Sequence, residues 1–260
     1  MTTPAPPSPA DDRRRQHVWI VLPAYNEEES LPALLDAIEN AMLEARLTYR
    51  IVLVDDGSRD RTAEIAQQAA ERMPLTFEQH EVNQGLGATI RDGLTRASEL
   101  AEPGDVLVSL DADNTHNPHQ ILPMVQKVRE GFDVVIASRY RDGSRIRGVS
   151  LFRRALSYWG GWLFRLSLPI EGVRDYTCGF RAYRAGALAD ALADHGPGFF
   201  EQQGFQCMVD ILLKLRRRPL LFTKVPLILR YDLKGGESKM NVGSTIRDTL
   251  LLIVKRRFGS

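Results

Sequence analysis

Cysteine is scarce in this chain. There are two in 260 residues, Cys178 and Cys207, and no Cys/His set stands at zinc spacing. That argues against a disulfide scaffold and a structural zinc module, and it predicts a reducing, cytosolic compartment. Long apolar runs are also missing. No stretch reaches the about 18 residues that cross a bilayer; the longest candidates are residues 250–254 and the broken run 159–170. Net charge is only +1, so whole-molecule attraction to nucleic acid has no support, and any anion binding rests on local clusters. The start lacks the apolar core of a signal peptide. Its Pro/Ala-rich composition, followed by Arg13–Arg15, predicts a disordered tail over residues 1–17. Neither a Walker P-loop nor a G-x-G-x-x-G fingerprint is present, and no internal repeat is visible.

What is present is an ordinary core and a pattern of strand ends. Apolar residues make up 43% of the chain, enough for one domain with appendages. Strand and helix signals alternate from Val18 to about Ser138, which predicts βαβ units and a mostly parallel sheet. Three apolar runs each close on polar or acidic residues. Residues 18–22 lead into Pro23-Ala24-Tyr25-Asn26-Glu27-Glu28, residues 51–54 into Asp55-Asp56-Gly57-Ser58, and residues 105–110 into Asp111-Ala112-Asp113. In open α/β sheets, ligands bind beyond the carboxyl ends of the strands. Read as a strand ending, Asp111 and Asp113 point the same way, and two hard oxygen ligands suit a divalent cation that carries phosphate oxygens.

Between these strands the pattern predicts a helix opening near Ser30-Leu31-Pro32, with Leu31, Leu34, Leu35 and Ile38 buried. Helices are predicted over 58–73, with Ala63, Ile65, Ala66, Ala69 and Ala70 inward, and over 88–100. A strand is predicted over 76–82, followed by Asn83-Gln84-Gly85-Leu86-Gly87, and a buried strand over 133–138. The composition then shifts. Residues 139–165 hold seven arginines against one acid, Asp142, with Tyr140, Phe152, Tyr158, Trp159, Trp162 and Phe164 interleaved. Residues 151–168 have helical character, and the aromatic content predicts a membrane-facing element as readily as a solvated helix face. A helix over 205–215, a strand over 220–231, a loop over 234–239 and a final helix over 242–258 with a basic end complete the chain. His116 is predicted in a loop or at the surface. The two cysteines, and the Met and aromatic positions of 199–215, are predicted in the core.

Taken together, Leu22-Pro23-Ala24-Tyr25-Asn26-Glu27-Glu28, Val54-Asp55-Asp56-Gly57-Ser58, Asn83-Gln84-Gly85-Leu86-Gly87 and Asp111-Ala112-Asp113 resemble, in order and spacing, glycosyltransferase family 2 of the GT-A fold. Ala137-Ser138-Arg139-Tyr140, Thr177-Cys178-Gly179-Phe180-Arg181 and Gly236-Glu237-Ser238-Lys239-Met240 resemble its dolichol-phosphate mannose synthase branch, the polyprenyl-phosphate glycosyltransferases. The resemblance implies an α/β, Rossmann-like, mostly parallel sheet flanked by helices. It places the GT-A domain at residues 18–240, with basic and aromatic interface helices at 139–170 and a C-terminal amphipathic helix at 241–260.

The activity it implies is inverting, metal-dependent transfer of a sugar, mannose first, from a nucleoside-diphosphate sugar to a polyprenyl phosphate. GDP-mannose stands ahead of a UDP-sugar as donor, and the cofactor is Mg²⁺ or Mn²⁺. Asp111 and Asp113 hold the metal, with Thr115 as a weaker ligand where the family often has glutamine. Pro23, Ala24, Tyr25, Glu27, Val54, Asp55, Asp56, Asn83, Gly85, Leu86 and Ala112 match nucleotide positions. Arg139, Arg153, Arg154 and Lys239 match basic positions that meet donor and acceptor phosphates, where guanidinium groups fit phosphate oxygens bidentately. Such an enzyme sits peripherally on the cytoplasmic face of a membrane and has no nucleic-acid partner. A second departure is Met208, where the family commonly carries an acid; Asp210 is the nearest. Three alternatives stay open. One is a soluble hydroxyl or glycan acceptor, which needs a base such as Asp210, Asp175 or Glu201. Another is a non-catalytic sugar-nucleotide-binding protein. Nucleotidyl transfer is the weakest, because no Gly-rich basic loop follows the first strand.

Overall fold

The computed structural model describes residues 16–148, 164–167, 169–202, 204 and 206–233. The tail, most of the basic and aromatic segment with Arg153 and Arg154, the loop with Lys239 and the final helix lie outside the described residues.

The described chain builds one seven-stranded sheet in the order β3-β2-β1-β4-β7-β5-β8. Its strands are β1 (His17–Ala24), β2 (Thr48–Asp55), β3 (Leu75–Gln79), β4 (Val106–Ser109), β5 (Val134–Ser138), β7 (Arg181–Arg184) and β8 (Phe222–Pro226). A small two-stranded sheet pairs β6 (Arg145–Arg147) with β9 (Ile228–Arg230) in parallel. Only β7 runs against its neighbours, between β4 and β5. Among the described residues, helices α1 (Leu31–Glu44), α2 (Thr62–Arg72), α3 (Leu86–Leu100), α4 (Ile121–Arg129), α5 (Ala185–His195) and α6 (Cys207–Leu215) pack around the sheet.

Strands covered on both faces need apolar side chains at every position, and β1 answers that need. Val18, Ile20, Val21 and Leu22 are fully buried, as are Ile51, Val52, Leu53 and Val54 of β2. The predicted face of α1 is buried throughout, with Leu31, Leu34, Leu35 and Ile38 at 0% exposure and Pro32 in the first turn.

The predicted boundaries move where loops need them. The second helix begins at Thr62 rather than at residue 58, because residues 58–60 are drawn into side-chain bonds. Ser58 donates to Asp55, and Asp60 accepts from the Thr62 N–H at 3.0 Å and from the Glu28 N–H at 3.1 Å. Its Ala66 and Ala69 are buried, whereas Ala63, Ile65 and Ala70 are only partly so. Strand β3 stops at Gln79, level with Asp55 where β2 ends. The single strand predicted over 220–231 is two strands in different sheets. Gln120 holds the crossover: its Nε2–H donates to the Pro226 carbonyl at 2.5 Å and its Oε1 accepts from the Ile228 N–H at 2.8 Å.

Candidate active site

The parallel register brings three strand ends side by side. β1 lies between β2 and β4, with Ala24 opposite Asp55 and Val21 opposite Ser109. At ordinary strand spacing, the ends of β2 and β4 stand roughly 10 Å apart. The loops beyond them are stitched together. The Asn26 N–H donates to Ser58 Oγ at 2.8 Å, the Glu27 N–H to Thr62 Oγ1 at 2.8 Å, and the Arg59 N–H to Asn26 Oδ1 at 2.8 Å. The Asp56 N–H donates to the Ala24 carbonyl and the His80 N–H to the Asp55 carbonyl, each at 2.8 Å.

The carboxylates of Asp55 and Asp56 are buried within this framework. Asp55 accepts from Ser58 and from Gln79 Nε2 at 3.1 Å. Asp56 accepts the backbone N–H groups of Gln84 at 2.8 Å and Gly85 at 2.9 Å, and meets His80 Nδ1 at 2.8 Å. Gly57 makes this contact possible. Its φ is +69°, and a Cβ there would lie 2.8 Å from the Val82 carbonyl carbon, so only glycine lets the two loops meet. Pro23, Ala24 and Val54 are buried at the strand ends, Tyr25 and Glu27 are half-buried, and Asn83 is exposed beside half-buried Gly85 and Leu86.

Strand β4 ends at Ser109, so Asp111-Ala112-Asp113 lies in the turn beyond it. Strand alternation therefore does not aim the two carboxylates; turn geometry does, with Asn114 at φ +57°. The Asp111 side chain is 37% exposed. Asp113 is nearly buried, and its Oδ1 accepts from Thr115 Oγ1 at 2.7 Å and the Thr115 N–H at 3.2 Å. Thr115 thus orients the second carboxylate. Gly179, just before β7, faces Asp111: a Cβ there would lie 3.0 Å from Asp111 Oδ1. His116 lies in the loop after β4, as one half of the expectation had it, but it is buried rather than at the surface. Its ring lies 5.1 Å from that of Phe180, and its Nδ1 accepts from the Asp111 N–H at 3.4 Å. A tertiary partner more than sixty residues away, Phe180, decided this, which no local pattern reports.

No group of three or more His, Cys, Asp or Glu side chains at metal-binding distance occurs among the described residues. Two carboxylates nevertheless fit Mg²⁺ or Mn²⁺, which take oxygen donors and complete their shells with phosphate oxygens and water.

Arg139 follows β5 on the same edge. Its Nε donates to Asp175 Oδ2 at 2.7 Å, and its Nη2 to Asp175 Oδ1 at 2.6 Å and Thr177 Oγ1 at 2.5 Å. Burial opposes ionisation of Asp175, but the adjacent Arg139 charge and hydrogen bonds outweigh it and hold the carboxyl below its usual range. Asp210 is likewise buried, 2.7 Å from Lys214 Nζ. Lys214 also donates to the Gly198 carbonyl at 2.5 Å and the Phe199 carbonyl at 2.9 Å, which pins the segment leading to Glu201. Of the three base candidates, Glu201 alone is appreciably exposed, at 39% of its side chain. It lines a polar cavity of about 420 Å³ with Asn83, Gln84, Gly87, Ala88, Arg91, Phe200 and Gln202. Met208 is a core residue whose carbonyl accepts from buried Arg181 at 2.5 Å. Both cysteines are buried, and burial pushes each thiol up to about 12.

The sequence reading missed β7, α4 and α5, and with them the wall that Gly179 gives Asp111. It also missed His80, Asp92 and Lys214, whose roles come from partners distant in sequence. Only the Thr177-to-Arg181 motif hinted at β7.

A mostly parallel α/β sheet that gathers acidic turns and a polar cavity at its carboxyl edge belongs to the class of α/β folds that bind ligands at that edge. The comparisons agree with that class. The glycosyl transferase family 2 model matches residues 19–192, and the chain belongs to this family. It is 32% identical over 234 residues to a dolichol-phosphate mannosyltransferase of Pyrococcus furiosus, covering 90% of this chain and 61% of that protein. It is 29% identical to a polyprenol monophosphomannose synthase of Mycolicibacterium smegmatis, covering 95% of this chain and 89% of that protein. The chain thus spans under two thirds of the Pyrococcus protein. Among solved structures, glucosyl-3-phosphoglycerate synthase of Mycobacterium tuberculosis, in complex with Mn²⁺, uridine diphosphate and phosphoglyceric acid, superposes with a TM-score of 0.66. The identity is 21%, and the match covers 96% of this chain and 81% of that one. The expected GT-A sheet is therefore the observed one.

Proposed function

We propose that this chain is an inverting, metal-dependent glycosyltransferase that moves a sugar, mannose first, from a nucleoside-diphosphate sugar to a polyprenyl phosphate. One observation carries the reading: the Asp111–Asp113 pair lies beyond the central strand, with Asp113 oriented by Thr115 and Asp111 partly open to solvent beside Gly179. The names of the two curated relatives, both lipid-phosphate mannosyltransferases or synthases, support the acceptor class.

The roles assigned are these. Asp111 and Asp113 would hold Mg²⁺ or Mn²⁺, which when bound supplies Lewis-acid stabilisation of the departing diphosphate, worth several kcal/mol. Asp56 keeps the Gln84–Gly85 backbone in place against the nucleotide. Pro23, Ala24, Tyr25 and Asp55 border the same pocket, with GDP ahead of UDP. A polyprenyl phosphate is already an anion, so the acceptor needs no strong base. That suits a site in which Arg139 neutralises buried Asp175 and buried Lys214 neutralises Asp210. By the family resemblance Arg153, Arg154 and Lys239 are assigned to the phosphates, together with Arg139, whose Nε and Nη2 are held by Asp175 and which would meet a phosphate through its remaining N–H groups. The enzyme works peripherally on the cytoplasmic face of a membrane; no helix among the described residues is long and apolar enough to cross one. Glu201, exposed at the cavity, keeps one second reading in play, transfer to a soluble hydroxyl with Glu201 as base.

The test is a panel of nucleoside-diphosphate sugars with Mg²⁺ or Mn²⁺, each offered a polyprenyl phosphate or a soluble glycan. Metal-dependent transfer to the lipid supports the proposal. Transfer to the glycan alone moves it to the second reading, and absence of any turnover overturns both.

A further inference from the structure

His80 has no part in the function proposed above, yet it sits at its centre. The residue follows β3, and its side chain is 10% exposed. Its Nδ1 lies 2.8 Å from Asp56 Oδ1 and its Nε2 lies 3.0 Å from Asp92 Oδ2. Asp56 grips the N–H groups of Gln84 and Gly85. Asp92, on α3, accepts from Arg91 Nε at 2.6 Å and Arg91 Nη2 at 2.9 Å. Gln84 and Arg91 both line the polar cavity. One imidazole therefore joins two parts of the cavity wall that are otherwise on separate elements. The other charged groups nearby are Asp55, whose carbonyl holds the His80 N–H, exposed Glu81, and Glu78, which is 3.2 Å from Arg96.

A neutral imidazole has one N–H and one lone pair. Between two carboxylates it donates to one and turns a lone pair toward the other. Only the imidazolium donates to both. Asp92 remains an acceptor: burial opposes its charge, but the Arg91 hydrogen bonds and charge, then those of His80, hold its carboxyl below the usual range.

We infer that His80 is a positioning residue which, by bridging Asp56 and Asp92, clamps the Gln84–Gly85 loop and the Arg91 side chain into the arrangement that receives the donor nucleotide. The inference rests on the nucleotide site proposed above, and His80 itself touches no substrate in it. Losing one of the two contacts is expected to lower nucleotide affinity by roughly three- to tenfold.

Calorimetric titration of the full chain with GDP and with UDP, in Mn²⁺ and at one fixed pH, tests this. Hydrogen exchange of residues 80–93 is measured in parallel. His80→Gln is expected to bind roughly three- to tenfold more weakly than wild type, with faster exchange at Gln84 and Gly85. Asp92→Ala removes the other anchor of the ring and is expected to weaken binding in the same way, and the double variant to bind no more weakly than Asp92→Ala alone, because both changes break one bridge. Unchanged affinity in His80→Gln, or two losses that simply add, overturns the inference. So does faster exchange with unchanged affinity, which would make His80 merely structural. Wild type that binds neither nucleotide overturns the functional proposal instead, and with it the role of any clamp.

Discussion

The two edges of the seven-stranded sheet use the same acid for different ends. At the amino edge, Asp105 and Asp133 stand just before β4 and β5. Asp105 accepts from the His17 N–H at 2.8 Å, the Trp19 Nε1–H at 3.0 Å and the Glu102 N–H at 3.0 Å. Asp133 accepts from Arg184 Nε and the Leu221 N–H, each at 2.8 Å. Both tie chain segments together and are nearly buried. At the carboxyl edge, Asp55 and Asp56 do similar work within loops, but Asp111 keeps 37% of its side chain in solvent next to a second, oriented carboxylate. An aspartate at a strand end is thus architectural or open to solvent according to its partners, not its position along the strand.

The comparison is broken hardest at Asp111. Asp111→Asn and Asp113→Asn are expected to lower transfer by about a thousandfold, several kcal/mol of lost metal stabilisation, while thermal unfolding stays close to wild type. Activity within a fewfold of wild type would remove the metal assignment. Next comes the Arg139–Asp175 pair, which belongs to the carboxyl edge by place but resembles the amino edge in burial. Asp175→Ala removes the buried partner of the half-buried Arg139 guanidinium, leaving it Thr177, and should cost about 2–3 kcal/mol of stability, read by denaturant unfolding. Its pH dependence has a fixed sign. The folded carboxyl titrates below its usual range, so its contribution is present above the unfolded carboxylate range and is lost as pH falls through the lower folded value. An acid limb of the stability curve that is the same in Asp175→Asn would contradict this.

At the amino edge, Asp105→Ala abandons a buried Trp19 N–H and two backbone donors. A loss of about 2–3 kcal/mol in stability is expected, with nucleotide affinity per folded molecule unchanged. A specific loss of nucleotide affinity there would erase the distinction between the edges. Asp56→Ala lies between the two kinds. It should weaken nucleotide binding by about 1–3 kcal/mol, measured by calorimetry, through release of the Gln84–Gly85 backbone. The smallest effect belongs to Thr115→Val, which removes one hydroxyl from Asp113. Metal-dependent activity should then need a several-fold higher metal concentration, about 1 kcal/mol. Unchanged metal dependence would mean that Thr115 does not orient the ligand.

Much of this was legible because the central strands are buried on both faces. Val18 to Leu22 and Ile51 to Val54 had to be apolar throughout, and the polar residues after them marked the sheet edge. The 3.6-residue spacing of Leu31, Leu34, Leu35 and Ile38 showed the buried side of α1 in the same way. Arg181-Ala182-Tyr183-Arg184 carried no such mark. Its two arginines suggest solvent, yet it enters the sheet as β7 because Arg181 is satisfied by the carbonyls of Tyr176 and Met208 and Arg184 by Asp133. Residues 220–231 read as one apolar run because the switch from one sheet to the other depends on Gln120, a hundred residues earlier.

By itself the sequence determined the alternation of strands and helices, the three polar strand ends, the family and the identity of the two acidic turn residues. Those are properties of local spacing and residue type, which neighbours along the chain suffice to express. The tertiary structure decided which carboxylates are spent on backbone amides and which face solvent, that His80 bridges Asp56 to Asp92, and that Lys214 and Arg139 neutralise Asp210 and Asp175. These depend on desolvation and on partners brought together from distant segments, so they exist only once the sheet has been assembled.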